Sequence, residues 1–477
     1  DDSSSAKAPT RPNVILIMTD DQGYGDLACH GNTILKTPAI DRLHAESVRL
    51  TNYHVDPTCP PTRSALLTGR YSTRTGVWHT IMGRSMMHTD EVTLAEVFSA
   101  SSYRTGCFGK WHLGDQPEFL PTRQGFDSYF GIPFSNDMGE KDRPTKLYPP
   151  LPLLRMEKVI EEEPDQRLIT QRYTREAIAF IERNKARPFF LYLPHTMPHW
   201  PQYSSERFAG KSANGKWGDA AEEIDWSTGE ILKALKANGI DEKTMVIFMS
   251  DNGGSAEFLQ EDTNYPDPSR YIHPTVDGRM VRVGNTPSIE PGPADTFASI
   301  DISWANASNA PFRLFKRYTH EGGISTPLIA HWPKGLNAEH NGKLESQPGH
   351  LIDLMATCVD VAGIKHPKEF AGNKIQPLEG VSLKPAFSGK DLSRADALYF
   401  DHHLNGAIRD EQWKLVRYGD SGGNAKLHPW QLYDMENDRS EQTDLANKYP
   451  DRVKALAGKW EKWAVRARVK PWPWEVE

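Results

Sequence analysis

Asn13-Val14-Ile15-Leu16-Ile17-Met18-Thr19 runs without a break into Asp20-Asp21. A continuous apolar and β-branched run cannot alternate between a dry and a wet face, so it reads as a strand covered on both sides, as in a parallel sheet. Two carboxylates at its end put charge where open α/β sheets bind ligands. The pattern recurs. Residues 103–109 end in Lys110-Trp111-His112, residues 188–193 end in Pro194-His195, and residues 244–250 end in Asp251-Asn252-Gly253-Gly254.

Helical spacing separates these strands. A helix starts at Thr37-Pro38, with Thr37 as N-cap, and others cover residues 92–100, 167–185, 222–238 and 349–362. A further strand is expected at 324–331. Residues 134–164 and 255–310, rich in Pro, Gly and charge, read as long loops, the second a candidate substrate-binding insertion. After about residue 370 short alternating segments at 397–402, 406–409, 413–418 and 430–434 predict a small antiparallel sheet. A helix over 451–468 follows, with Val453, Leu456, Trp460 and Trp463 on one stripe. The expected fold class is therefore α/β: a large mixed, mostly parallel sheet sandwiched by helices, with a smaller C-terminal antiparallel sheet plus helix. The expected divisions are a disordered or processed tail (1–12), a catalytic domain (13–370) and a C-terminal α+β subdomain (371–477).

Composition narrows the function classes. Lys and Arg number 56 against 63 Asp and Glu, a net charge of -7 with no long run of either sign, so nothing favours nucleic acid. No apolar run approaches the ~20 residues of a membrane span. Cys29, Cys59, Cys107 and Cys358 are too few and too scattered for a disulfide framework, and Cys107 and Cys358 read as buried thiols. The polar start Asp1-Asp2-Ser3-Ser4-Ser5 reads as a tail left by processing of an exported protein, periplasmic or extracellular. Thirteen Trp and 35 Pro suit a rigid, loop-rich surface of the sort that binds carbohydrate or other extended ligands.

Four strand ends thus deliver Asp20-Asp21, Lys110 with His112, His195, and Asp251-Asn252 to one sheet edge. Three carboxylates and an amide are hard oxygen donors that suit Ca2+ or Mg2+. Either acidic pair alone is explained by a helix cap or a turn; together at one edge they favour a metal.

Cys59-Pro60-Pro61-Thr62-Arg63-Ser64-Ala65-Leu66-Leu67-Thr68-Gly69-Arg70 follows a turn at Asp56-Pro57 and predicts a short helix that stops at Gly69. Its Cys59-x-Pro61-x-Arg63 and Leu67-Thr68-Gly69-Arg70 resemble the signature of the type I, formylglycine-dependent sulfatases of the alkaline phosphatase superfamily. Thr19-Asp20-Asp21, Gly109-Lys110-Trp111-His112, Pro194-His195, Ser250-Asp251-Asn252-Gly253 and Glu321-Gly322-Gly323 add to the resemblance, which extends from about residue 13 to the C-terminal helix.

The resemblance implies an alkaline phosphatase-like fold and a Cys59 oxidised by a separate maturation enzyme to Cα-formylglycine. One hydroxyl of the aldehyde hydrate attacks sulfur, and deprotonation of the other then releases sulfate. Asp20, Asp21, Asp251 and Asn252 would ligate Ca2+, or Mg2+, together with position 59. Arg63 would orient the hydrate, Lys110 and Lys316 would hold sulfate oxygens, His112 would be the base, and His195 the acid at the leaving oxygen. Ser135 resembles a further sulfate contact. His79, His199 and Trp200 follow motif segments closely enough to reach substrate, although loop packing explains each equally well.

The chain also departs from the family pattern. Pro60 and Thr62 stand where many members carry other small residues, and Phe312-Arg313-Leu314-Phe315-Lys316-Arg317 lacks a Gly-rich approach, leaving Arg313, Arg317 or His320 able to share the role of Lys316. Asn306-Ala307-Ser308 formally fits a glycosylation acceptor. The expected activity is hydrolysis of sulfate esters on a sulfated glycan. The alternatives are a broad arylsulfatase acting on small sulfate esters, a phosphoester hydrolase on the same scaffold, and a non-catalytic glycan-binding relative if Cys59 stays unmodified.

Overall fold

Seven residues of strand β1 (Asn13–Thr19) are buried on both faces and sit at the centre of a ten-stranded sheet. The computed structural model describes residues 11–80, 83–139, 149–256, 279, 282–284, 296–297, 299–420 and 426–470. The expected tail as far as residue 10, and most of the expected 255–310 loop, lie outside the described residues.

The other strands of this sheet are β2 (Val48–Leu50), β3 (Arg104–Phe108), β4 (Ser128–Gly131), β5 (Pro152–Arg155), β6 (Lys158–Glu162), β7 (Phe189–Pro194), β8 (Thr244–Ser250), β9 (Leu328–His331) and β10 (Lys343–Glu345). Their spatial order is β10-β2-β9-β8-β1-β7-β3-β4-β5-β6. The central five, β8 to β4, run parallel, with Leu16 opposite both Tyr192 and Ile247. β9 is antiparallel to β8 and β2, and β5 and β6 are antiparallel too. The sheet is mixed and mostly parallel, as its apolar runs lead one to expect.

Alternation along β1 explains why residues 14–18 include no polar member. Val14, Leu16 and Met18 fill one core with Leu66, Leu67, Met355 and Trp460. Ile15 and Ile17 fill a second core with Ile40, Tyr173, Ile181 and Ile224. The helices of the described residues are α1 (Pro38–Ala45), α2 (Cys59–Thr68), α3 (Leu94–Ala100), α4 (Ile169–Asn184), α5 (Gly215–Ala237), α6 (Asp301–Ser308), α7 (Glu321–Ile324), α8 (Asp353–Val361) and α9 (Pro450–Arg466). Each fully buried Leu or Ile contributes about 1.5–3 kcal/mol, so the two cores hold the strand ends rigidly.

Several local expectations are corrected. Thr37 does not cap α1: its hydroxyl donates to Asp41 and accepts from the Ala28 amide, leaving the first turn to the Asp225 carboxylate, which takes the Ala39 and Ile40 amides. Thr93 is a true N-cap, in a capping box with Glu96. Within 134–164 the chain makes the β5–β6 hairpin; β6 is mostly exposed and charged, which hides a strand from any burial pattern. Residues 301–308 of the expected loop are the helix α6. Ile324 belongs to α7, not to β9, and α5 begins at Gly215.

The C-terminal residues build β11 (Leu398–His402), β12 (Asn405–Asp410), β13 (Trp413–Arg417) and β14 (Gln431–Asp434), paired antiparallel in sequence order. Helix α9 docks with Leu456, Trp460 and Trp463 buried, and the Trp460 indole N–H donates to the Phe400 carbonyl at 3.1 Å. No helix of the described residues is long and apolar enough to cross a membrane.

Candidate active site

The carboxyl ends of β1, β3, β7 and β8 open onto the first turn of α2. Pro60 and Pro61 suit that turn, where a missing N–H leaves no helical bond unmade, and Gly69 closes the helix in the left-handed region with φ 65°. All ten residues of α2 are buried, so Cys59 and Arg63 are fixed by packing on every side. Gly109, at φ 149°, lets the chain leave β3 where a Cβ would strike the Pro194 carbonyl, and so delivers Lys110 inward. Gly253 does the same for β8, passing close enough to Gly322 that a Cβ would collide with its carbonyl.

Arg63 is the hub. Its Nη2 donates to Asp251 Oδ2 at 2.7 Å and to Asp20 Oδ2 at 3.1 Å, and its Nη1 donates to the Lys110 carbonyl at 2.7 Å. Lys110 Nζ donates to Asp20 Oδ2 at 2.5 Å and to Ser135 Oγ at 3.1 Å. Lys316 Nζ lies 2.8 Å from Asp21 Oδ1, and Asn252 Nδ2 donates to the same oxygen at 2.7 Å. The Asp21 amide, in a backbone with φ 62°, donates to Asp251 Oδ1 at 3.1 Å. The loop carrying Lys316 is tied down by its own amide to the Gly254 carbonyl and by the Arg317 amide to the Pro57 carbonyl.

The histidines separate clearly. His112 sets Nδ1 3.6 Å from Cys59 Sγ and Nε2 2.9 Å from the Thr80 carbonyl. A carbonyl only accepts, so Nε2 carries the hydrogen and Nδ1 presents a lone pair to position 59. His199 sets Nδ1 2.5 Å from the Trp200 carbonyl and Nε2 3.7 Å from Asp21 Oδ2. His195, expected at the leaving oxygen, instead faces away: its Nε2 is 3.4 Å from Ser227 Oγ on α5. Burial alone pushes its pKa down to about 3. For His199, burial, then Lys316 and Lys110, hold the ring well below the usual range, and His112 is held down likewise by burial, Lys110 and Arg63, so both rings, unlike His195, feel the cluster.

Burial pushes the Cys59 thiol up to about 12, despite Lys110 and Lys316 nearby. Burial also raises Asp21 to about 7, opposed by Lys316 and reinforced by Asp20 and Asp251. For Lys110, burial is the largest influence and favours loss of the proton, but Asp20, Cys59 and Asp251 together outweigh it and raise the pKa. Three carboxylates and three cations therefore share one dry volume.

A divalent cation fits this donor set. Asp20 Oδ1 and Asn252 Oδ1 are buried with no hydrogen-bond partner among the described residues, while the other carboxylate oxygens of the cluster are held by Arg63, Lys110, Lys316 and the Asp21 amide. Unpaired buried oxygens beside desolvated carboxylates are hard donors of the kind a divalent cation takes. Donor atoms of Asp20, Asp251 and Cys59 lie within 4.8 Å of one another, as do those of Asp20, Asp21 and His199.

Two expected contacts are not brought in. Arg313 Nη1 donates to Tyr433 Oη at 3.2 Å and to the Glu441 carbonyl at 3.1 Å, which commits it to the C-terminal sheet. His320 pairs with Gln431. His79 is near the site but lies against His402, the last residue of β11, and His403 in the turn that follows it. Sequence reading missed that pair, although two adjacent histidines ending an alternating segment were its visible signal. It also missed Lys414, whose ammonium is 2.8 Å from both Glu321 and Glu441 and anchors α7 to the C-terminal sheet.

The Sulfatase family model matches residues 12–364, and the model described as N-sulphoglucosamine sulphohydrolase, C-terminal, matches residues 312–462. The chain is 33% identical to N-acetylgalactosamine-6-sulfatase of Mus musculus over 434 residues, covering 86% of this chain and 72% of that protein. It is 33% identical to arylsulfatase A of Homo sapiens over 492 residues, covering 93% and 86%. Among solved structures, Ps i-CgsB in complex with k-i-k-neocarrahexaose superposes with a TM-score of 0.74 at 28% identity, covering 95% of this chain and 93% of that one.

Proposed function

The chain belongs to the sulfatase family, whose members are sulfuric ester hydrolases, and we infer that its substrates are sulfate esters of carbohydrates, cleaved with a formylglycine made from Cys59 beside a divalent cation. The observation that carries this reading is the meeting of Cys59, Arg63, Lys110, Lys316, His112 and His199 around Asp20, Asp21 and Asp251 at one sheet edge.

The state of the thiol supports its being a precursor. Protonated up to about pH 12, it is a poor nucleophile as it stands. Formylglycine would supply a hydrate hydroxyl as nucleophile, and a cation held by Asp20, Asp21, Asp251 and Asn252 would make a cluster of balanced charges net positive and polarise sulfate oxygens. Because Cys59 is 1% exposed, a separate maturation enzyme would reach it before α2 packs.

The remaining roles belong to side chains in view. Lys110 and Lys316, oriented by Asp20 and Asp21, present ammonium charge to the sulfate oxygens, and Ser135 adds a hydroxyl beside Lys110. Arg63 holds the carboxylates and the Lys110 backbone in register. His112 takes a proton at Nδ1 from position 59, its tautomer fixed by Thr80. His199, and not His195, gives a proton from Nε2 to the leaving oxygen; the charge of bound sulfate offsets Lys110 and Lys316 and so raises the ring's proton affinity.

Carbohydrate is preferred over a simple aryl ester because the mouse relative is by name a sulfatase of an amino sugar and the superposed structure holds an oligosaccharide. The mass of the Cys59 peptide, together with sulfate release from sulfated oligosaccharides and 4-nitrophenyl sulfate, tests the reading. A protein carrying the aldehyde that released no sulfate from any of them would overturn it.

A further inference from the structure

Beside the sulfate-holding lysine lies a second cluster that the mechanism does not use. His402 ends β11 and His403, with φ 55°, opens the turn to β12, and the two meet His79 from the loop after α2. The ring centroids of His79 and His403 are 4.4 Å apart and those of His402 and His403 4.7 Å. The cluster adjoins the active site on two sides. His402 Nδ1 is 3.5 Å from the hydroxyl of Thr58, the residue before Cys59, and Thr80, which fixes His112, follows His79 directly.

Two guanidiniums complete it. Arg317 is exposed and is the immediate neighbour of Lys316 in the chain, and Arg84 stands 4.9 Å over the Trp78 ring, partly open to solvent. Beyond burial and the other rings, the charged groups bearing on these histidines are Arg84, Arg317 and Lys316, all cations.

We propose that His79, His402, His403, Arg84 and Arg317 form a second anion-binding subsite, which takes a carboxylate or a further sulfate on the sugar carrying the ester or on its neighbour. This rests on the reading of the chain as a carbohydrate sulfatase and names the class of sugar that it selects. Burial and the nearby cations push His79 down to about 3 and His403 to about 4, so at neutral pH the rings act as neutral N–H donors while the guanidiniums supply the charge. Three imidazoles with ligand atoms within 4.8 Å have the geometry to hold a soft cation, but two guanidiniums and an ammonium repel one.

The test uses the matured, metal-loaded enzyme and matched oligosaccharides bearing one sulfate ester alone, the ester plus a uronate carboxylate, or the ester plus a second sulfate. One of the doubly anionic substrates is expected to exceed the singly charged one in kcat/KM by about tenfold or more, mainly through KM, with the preference shrinking as salt rises. Arg84→Gln and Arg317→Gln should each lower that ratio several-fold, and whichever of carboxylate and sulfate shows the preference is the group recognised. Equal kcat/KM across the three substrates, or variants that leave the ratio unchanged, would overturn the subsite. Stoichiometric zinc binding lost in His403→Ala would also overturn it. If 4-nitrophenyl sulfate is turned over but the second anion is ignored, the sulfatase reading stands and only this inference falls; if no sulfate ester is cleaved, both fall.

Discussion

Arg63 donates to the Asp251 carboxylate at 2.7 Å, and neither side chain has any exposed surface. The pair also carries Asp20, so a single guanidinium balances two carboxylates arriving from β1 and β8. That arrangement makes the first helix of the Cys59 motif the lock between the two strand ends, and it links stability to chemistry at one residue.

Removing Arg63 would strand Asp251 in a dry cluster and leave Asp20 to Lys110 alone. Breaking one partner of a buried pair costs about 3–5 kcal/mol, so Arg63→Ala should lose that much stability in urea unfolding, together with all measurable turnover. Arg63→Lys keeps the charge but not the fork, and should recover part of the stability and little of the activity. Full stability in Arg63→Ala would show that the ion pairs in this cluster carry no net load.

His199 and His195 are separable by leaving group. If His199 protonates the departing oxygen, His199→Ala should lower kcat by about 10²–10⁴ on sugar sulfates, whose alkoxides are poor leaving groups, and much less on 4-nitrophenyl sulfate. His195→Ala, which loses a contact to Ser227, should lower stability and affect both substrates alike. The opposite pattern would return the acid role to His195.

The sequence made some of this legible and hid the rest for identifiable reasons. β1 and β8 could be read because both of their faces are dry, and their abrupt polar ends placed Asp20, Asp21, Asp251 and Asn252 correctly at one edge. β6 was invisible because an exposed edge strand has no hydrophobic requirement to display. The two histidines after β7 were indistinguishable by type and lie four residues apart. Which one turns back over the cluster depends on how the segment from Thr196 to Pro201 packs against Asp21, and that is a tertiary fact. His402 and His403 lie more than three hundred residues from Cys59 and reach it only because the C-terminal sheet packs against the main body.

The cation can be tested without turnover. If Asp20 Oδ1 and Asn252 Oδ1 are donors to it, Ca2+ or Mg2+ added to chelated protein should raise the melting temperature, with a stabilisation of about 2.7 kcal/mol at a hundred times Kd. Asn252→Ala should weaken that concentration dependence. A chelated protein whose melting ignored both ions would contradict the site.

The buried cluster that joins α7 to the C-terminal sheet predicts a stability optimum in pH. Burial opposes ionisation of Glu321, but Lys414 and His54 outweigh it and hold the carboxylate well below its ordinary value of 4.5, whereas burial, against the pull of Lys414, raises Glu441 to about 7. The signs then follow by linkage. For the depressed Glu321, the stabilisation is complete above pH 4.5 and is lost as pH falls toward the folded value. For the raised Glu441, it is complete below pH 4.5 and is lost as pH climbs to about 7, where two carboxylates come to share one ammonium. Their sum is greatest near pH 4.5 and falls on either side. Urea unfolding across pH 3–8 should show Glu441→Gln flattening the decline between 4.5 and 7, and Glu321→Gln flattening the acid limb. Parallel pH profiles for wild type and both variants would mean that Lys414 does not couple the two carboxylates.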